Sequence, residues 1–197
     1  MNRSRNKANI DKKKIIVVIS EDKKSSYYYL ESFRGHYKIN SKNFRIIPSD
    51  NIGDISGLYN KIKGHEEKNS YRGDEYYIIV DQEDCDIAKV KSYNNKYEDA
   101  NLIFSIPCFE YFVLLHYKKS NTQFENWQKI AKDLEKEKDF KSKYKKYEKA
   151  NKKFFQDLAK DFNKVNTNYI FNDYEHPSTK IPEFLNQIVK YKQQDLL

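Results

Sequence analysis

Short apolar runs alternate along this chain with amphipathic stretches, and the alternation predicts a layered α/β fold. Residues 13–20, KKIIVVIS, are β-branched and apolar on both faces, the pattern of a strand covered on two sides. SSYYYLESFRG, 25–35, opens on Ser25 as a cap, sets Tyr29, Leu30 and Phe33 at helical spacing and closes on Gly35. FRIIPSD, 44–50, predicts a second strand stopped by Pro48, and DISGLYNKIKGHEEK, 54–68, an amphipathic helix. EYYIIVDQED, 75–84, is a third buried strand that runs into acids; DIAKVKSYNNKYED, 86–99, predicts a helix and NLIFSI, 101–106, a fourth strand. Strands separated by helices imply right-handed crossovers and a mainly parallel sheet of about four strands, flanked by helices.

From residue 109 the period becomes helical. FEYFVLLHY comes first, then TQFENWQKIAKDLEKE, then a Lys-rich segment at 140–165. The aromatic spacing of that segment fits a helix pair packed on itself with lysines outward, and its charge also suits a phosphate-binding face. HPSTKIPEFLNQIVKY, 176–191, offers Ser178 or Thr179 as a cap, Pro182 in the first turn and an apolar stripe on Phe184, Leu185, Ile188 and Val189. We expect a basic arm at 1–12 and one domain at 13–197, with 118–197 as its helical extension.

Composition adjusts this picture in two respects. With 37 Lys and Arg against 29 Asp and Glu, the net charge of +8 favours a polyanionic partner, nucleic acid first. The mean hydropathy of −0.98 leans toward disorder, but 15% aromatic residues and the clean apolar runs restore the expectation of a packed core. Cys85 and Cys108 have no CxxC spacing, which argues against a disulfide scaffold or zinc site and for a reducing compartment. Ile15–Ser20 is too short for a signal core or a membrane span, so the expected location is cytoplasmic, away from membranes.

Candidate chemistry lies where strands end. In an open parallel sheet, ligands bind outside the carboxyl ends of the strands. The first strand delivers Glu21 there, the third Asp81, Glu83 and Asp84, and the fourth runs through Pro107 to Glu110. Carboxylates converging on one edge are hard oxygen donors suited to Mg²⁺ or Mn²⁺. Acids after strands also cap helices, and for Asp84 and Asp86 that reading is the better one. Glu110 and His116 stand inside the most apolar stretch, SIPCFEYFVLLHY, where a buried carboxylate must be paired, protonated or metal-bound. Six residues at about 100° each turn His116 about 240° from Glu110, so His116 is either a packed core histidine or a group reaching the site through a neighbour. No phosphate-binding GxxxxGK[ST], GxGxxG, HExxH or GxSxG motif occurs.

Four segments, KKIIVVISEDKKSSYYYL, IIVDQED, SIPCFEYFVLLHY and HPSTKIPEFL, resemble in content and order the RloB-like proteins of the wider TOPRIM group. The third is the most specific, since that family carries an Asn-Pro-Cys-Phe-Glu run followed by an aromatic residue, leucines and a histidine. The resemblance implies a TOPRIM-like, Rossmann-like fold in which a glutamate after the first strand and an Asp-x-Asp after the third hold divalent metal. Glu21 and Asp81 match that pattern. Glu83 replaces the second aspartate with Asp84 as a substitute, Ser26 stands where a second acid is usual, and Ile106 replaces the Asn before Pro.

By resemblance the chain is a Mg²⁺- or Mn²⁺-dependent nuclease of DNA or RNA, tRNA included. In that reading Glu21, Asp81, Glu83 and Glu110 are catalytic, Glu21, Asp81, Glu83 and Asp84 bind metal, and Lys23 and Lys24 bind phosphates. The resemblance also implies an effector of anti-phage defence and abortive infection working with an AAA-type ATPase; a homodimer is compatible with it. A second reading is a catalytically weakened subunit that binds nucleic acid or the ATPase. A third is a small phosphoryl-transfer enzyme using the same metal site.

Overall fold

The computed structural model describes residues 13–49, 54–81, 92, 96–120, 122–165 and 177–197. The arm at 1–12, the acids Glu83, Asp84 and Asp86, Cys85, His176 and most of the helix expected at 86–99 lie outside the described residues. Strands β1 (Ile16–Ser20), β2 (Phe44–Ile47), β3 (Glu75–Asp81), β4 (Ala100–Ile106) and β5 (Ser178–Thr179) form one sheet in the order β2-β1-β3-β4-β5. The first four are parallel, and β5 pairs antiparallel with β4. The α/β reading therefore stands, as a mostly parallel Rossmann-like sheet of five strands rather than about four.

Alternation of side chains explains why both faces are dry. Ile16 and Val18 of β1 join one apolar cluster while Val17 and Ile19 join the other, as a period of two requires. Helix α2 (Ile55–Asn69) covers the second face through Ile55, Leu58 and Ile62. The remaining described helices build on the first face: α1 (Ser25–His36), α3 (Phe109–Leu115), α4 (Trp127–Leu134), α5 (Lys138–Lys143), α6 (Lys152–Lys160) and α7 (Ile181–Gln193). No helix among the described residues is long and apolar enough to cross a membrane.

The segment read as a helical extension also carries a strand and returns to the sheet. Ser178 and Thr179, expected as helix caps, are instead β5, and the α7 N-cap position falls on Lys180, whose side chain makes no capping bond. Their polarity is absorbed mainly by pairing: Thr179 Oγ1 lies 2.7 Å from Ser105 Oγ, and Lys180 N donates to Phe104 O at 2.9 Å. Thr179 Oγ1 also accepts from Ile181 N at 3.3 Å, so a remnant of the expected cap is present one residue early. Phe184 of α7 then packs on Tyr77 and Phe44, with ring centroids 4.6 and 6.3 Å away. At the other end of α7, Lys14 N donates to Leu196 O at 2.8 Å, which fastens the C-terminus beside β1.

The Lys-rich segment is not one continuous helix pair. It is α5, an irregular stretch at 144–151, α6 and a short 3₁₀ turn at Phe162–Lys164. Phe140, Phe154, Phe155, Leu158 and Phe162 point into the core, as their spacing predicts.

Candidate functional site

The parallel strands β1, β3 and β4 all deliver polar side chains to one sheet edge. After β1 the chain passes Glu21 and Asp22 before α1 begins, and Asp22 organises that turn. Its Oδ1 accepts from Lys24 N at 2.9 Å and its Oδ2 from Ser26 N at 3.1 Å, so it rather than Ser25 supplies the orphan amides of α1 with an acceptor. Ser26 Oγ donates to the Asp22 carbonyl at 2.8 Å and pairs with Ser20 Oγ.

Asp81 closes β3 opposite Ser105 of β4. Cys108, the N-cap residue of α3, makes no capping bond, and Asp81 Oδ1 accepts instead from Phe109 N at 2.9 Å. A carboxylate borrowed from a neighbouring strand thus meets the positive end of α3. The Ile106–Pro107 peptide that joins β4 to this helix is cis.

One residue into α3, Glu110 is 1% exposed. Its Oε1 receives three groups: Tyr147 Oη at 3.0 Å, Ser25 Oγ at 3.1 Å and Lys149 Nζ at 3.3 Å. Its Oε2 is buried and has no hydrogen-bond partner among the described residues. Ser25 Oγ also reaches Asp22 Oδ2, and its single proton serves one carboxylate at a time. Glu110, Asp22 and Ser25 therefore share one polar network in a dry setting.

Electrostatics bind the cluster together. Although Asp81 keeps part of its surface open at the sheet edge, burial, then the Glu110 and Asp22 charges and more weakly Glu21, push its carboxyl well above the usual carboxylate range. Burial by itself would lower Lys149, but Glu110, Asp22 and Asp81 outweigh it and hold the ammonium raised. Burial and the Glu110 charge push the Tyr147 phenol well above its ordinary value. Asp81 is thus disposed to carry a proton, while Lys149 stays charged.

The strand-end acids Glu21, Asp81 and Glu110 are brought into one electrostatic neighbourhood. Glu21 itself is held through its main chain, donating from N to Ile79 O at 3.1 Å and accepting from Ser49 Oγ at 2.7 Å. Lys23 and Lys24 are exposed on the adjoining turn. His116 sits just beyond the far end of α3, edge-on to Phe112 and Tyr29 at 5.0 and 5.7 Å, with both ring nitrogens buried and unpartnered. It is a packed histidine, but not the hydrogen-bonded one that burial of a polar ring would favour. Among the described residues, no three Asp, Glu, His or Cys side chains stand close enough together to hold a metal ion.

The amino-acid pattern that defines RloB-like proteins matches residues 16–188, from the first residue of β1 into α7. The chain belongs to the RloB-like family. No curated protein and no solved structure matches it. The span assigned to the family includes the acid-bearing strand ends and also the 144–151 stretch, so Tyr147 and Lys149 fall within the family unit along with the sheet.

Those two residues, with Asp22 and Ser25, are what sequence reasoning missed. Asp22 had a signal in hindsight: an acid three positions ahead of a helix that begins Ser-Ser. Lys149 had none, being one of several lysines in a segment that is lysine-rich throughout.

Proposed function

We propose that this RloB-like chain is a metal-dependent nuclease that cleaves phosphodiester bonds in DNA or RNA. The observation that carries the reading is the Asp81–Glu110 neighbourhood: two carboxylates brought together at the N-terminus of α3, with Glu21 and Asp22 close enough to raise Asp81 further. Its donors fit a hard divalent ion, because they are oxygens, because they crowd negative charge, and because Glu110 Oε2 is buried without a partner. Asp81 and Glu110 would hold Mg²⁺ or Mn²⁺, with Glu21 as an electrostatic neighbour of Asp81 and Glu83 and Asp84, next to Asp81 in sequence, as further candidate ligands. When bound, such an ion polarises a phosphate and lowers the pKa of an attacking water.

The chain's own residues supply the remainder. Glu21, part-exposed beside the cluster, would ligate the metal or exchange a proton with water or a leaving oxygen. Tyr147 and Ser25 fix the orientation of Glu110 through Oε1, which leaves Oε2 to face other ligands. Lys23 and Lys24, exposed on the adjoining turn, would bind flanking phosphates. Family membership supports a role as the effector of an anti-phage defence pair with an AAA-type ATPase.

The test is cleavage. Purified protein, together with its ATPase where the protein alone is silent, should cut nucleic acid in Mg²⁺ or Mn²⁺ and stop with EDTA. Asp81→Asn should abolish cutting yet leave binding largely intact, since Asn can still accept from Phe109 N and the lysines are untouched. Growth arrest that is equally strong with Asp81→Asn and Glu21→Gln would refute the assignment. One observation favours the second reading, a binding subunit with weakened catalysis: Lys149 already provides Glu110 with a cation at 3.3 Å. Cleavage that disappears in Glu110→Gln but survives Lys149→Met would favour the nuclease.

A further inference from the structure

Beside the acids lies a hollow of about 530 Å³, within the ~300–1,000 Å³ of ordinary small-molecule pockets. Trp127 and Ala131 of α4 form one wall and Tyr147 and Lys149 the other, so the residues that hold Glu110 also line this hollow. Lys149 connects the two places directly, with Nζ 3.3 Å from Glu110 Oε1 and 4.7 Å from the centre of the Trp127 ring. Trp127 is the first residue of α4, which Asn126 caps by accepting from Lys129 N, and it is only half-buried. The indole packs partly against the main core cluster and turns the rest of its surface to the hollow.

The rim around the indole is cationic. Lys24, Lys132 and Lys146 line it with Lys149, against Glu135 and Glu148. Glu135 is already engaged, accepting from Tyr147 N at 2.8 Å. An aromatic wall ringed by lysines is complementary to a flat, electron-rich ring that carries a phosphate, which describes one nucleotide of a strand. A base inside a duplex has both faces covered by its neighbours, so only an unstacked nucleotide could present a face to Trp127.

We propose that the Trp127 hollow is a nucleobase subsite that takes one unstacked nucleotide of a single strand, with its phosphates on Lys24, Lys132 and Lys146. The proposal rests on the nuclease reading for its purpose, since Tyr147 and Lys149 join the hollow to Glu110 and a nucleotide held there would bring its strand to the acidic site. It makes single-stranded nucleic acid the substrate class. Lys149 then has two duties, neutralising Glu110 and reporting on the occupant of the hollow.

Trp127 is the chain's single tryptophan, so its fluorescence reports on this hollow alone. Oligo(dT) and oligo(U), added in EDTA so that nothing is cut, should quench it, with an affinity that falls steeply as salt rises. The same lengths presented as blunt duplex should leave it unquenched. The DNA and RNA arms say which strand is preferred. By anisotropy of a labelled oligonucleotide, Trp127→Ala should bind about 5- to 150-fold more weakly, the span of base–aromatic stacking, and Trp127→Phe should recover most of the loss. Circular dichroism on each variant separates loss of the subsite from loss of fold. Equal affinity of wild type and a folded Trp127→Ala overturns the proposal, as does quenching by the partner ATPase with none by either oligonucleotide. The nuclease reading fails separately: quenching that persists in a protein that never cleaves leaves the subsite and removes the catalysis, whereas Asp81-dependent cleavage indifferent to Trp127 does the reverse.

Discussion

His116 should make this protein sensitive to mild acid, and the size of the effect follows from its surroundings. Its ring is enclosed by Tyr29 and Phe112, both nitrogens lack partners, and burial lowers its pKa from 6.5 to about 3, with Asp161 pulling weakly the other way. A folded pKa below the unfolded one means that the unfolded chain binds the proton first. The contribution to stability is therefore complete above about pH 6.5 and is lost as pH falls toward 3. At pH 5 the unfolded imidazole is almost fully charged and the folded one is not, which costs about 2 kcal/mol relative to pH 7. For a chain of this size that is a fall in Tm of about 4–8 °C. His116→Phe removes the titrating ring and keeps a flat aromatic filler, so the variant should lose about 2 kcal/mol less than wild type between pH 7 and pH 5 in urea unfolding. Comparing the two proteins cancels other groups, including Asp81, whose raised pKa works in the opposite direction. If wild type and His116→Phe lose stability equally over that range, the histidine is hydrated or hydrogen-bonded in solution and the reasoning is wrong.

Two further substitutions probe the frame around the site. Lys149→Met should cost about 1–3 kcal/mol in urea unfolding at pH 7, below the 3–5 of a fully buried pair because the lysine side chain is 28% exposed, and adding Glu110→Gln should return part of the loss. Phe184→Ala should cost about 3–5 kcal/mol, since the ring is 2% exposed against Tyr77 and Phe44; a loss below 1 kcal/mol would mean that α7 is not part of the core.

β1 and β3 were legible because each is apolar on two faces, and β2 and β4 because short apolar runs stand between turn and helix signals. β5 was not, for it is two polar residues whose extended state is imposed by pairing with β4, and a run of two carries no period. Helix starts were read from residues that could cap, and the structure often found the acceptor elsewhere: Asp22 rather than Ser25 serves α1, and Asp81 serves α3 from a neighbouring strand. In the site, Glu21, Asp81 and Glu110 stood out because they follow or end apolar runs. Tyr147 and Lys149 did not, because their role comes from a long-range fold-back that places residue 147 against residue 110, and local pattern holds no trace of such a contact.

That fold-back bears on why an acid belongs in the most apolar helix of the chain. α3 has one N-terminus, and two carboxylates use it, Asp81 through the Phe109 amide and Glu110 from within the first turn. After burial itself, the Glu110 charge makes Asp81 harder to ionise, and Asp22 and Glu21 add to that effect. Positive charge can enter this neighbourhood as a proton on Asp81, as Lys149, or as a divalent ion. Lys149 meets only Oε1 of Glu110, on the side already occupied by Tyr147 and Ser25. Oε2 has no hydrogen-bond partner among the described residues. The 144–151 stretch thus does more than cover the sheet: through Tyr147 and Lys149 it supplies two of the three groups that meet Glu110 Oε1, and so it fixes how this buried acid is turned.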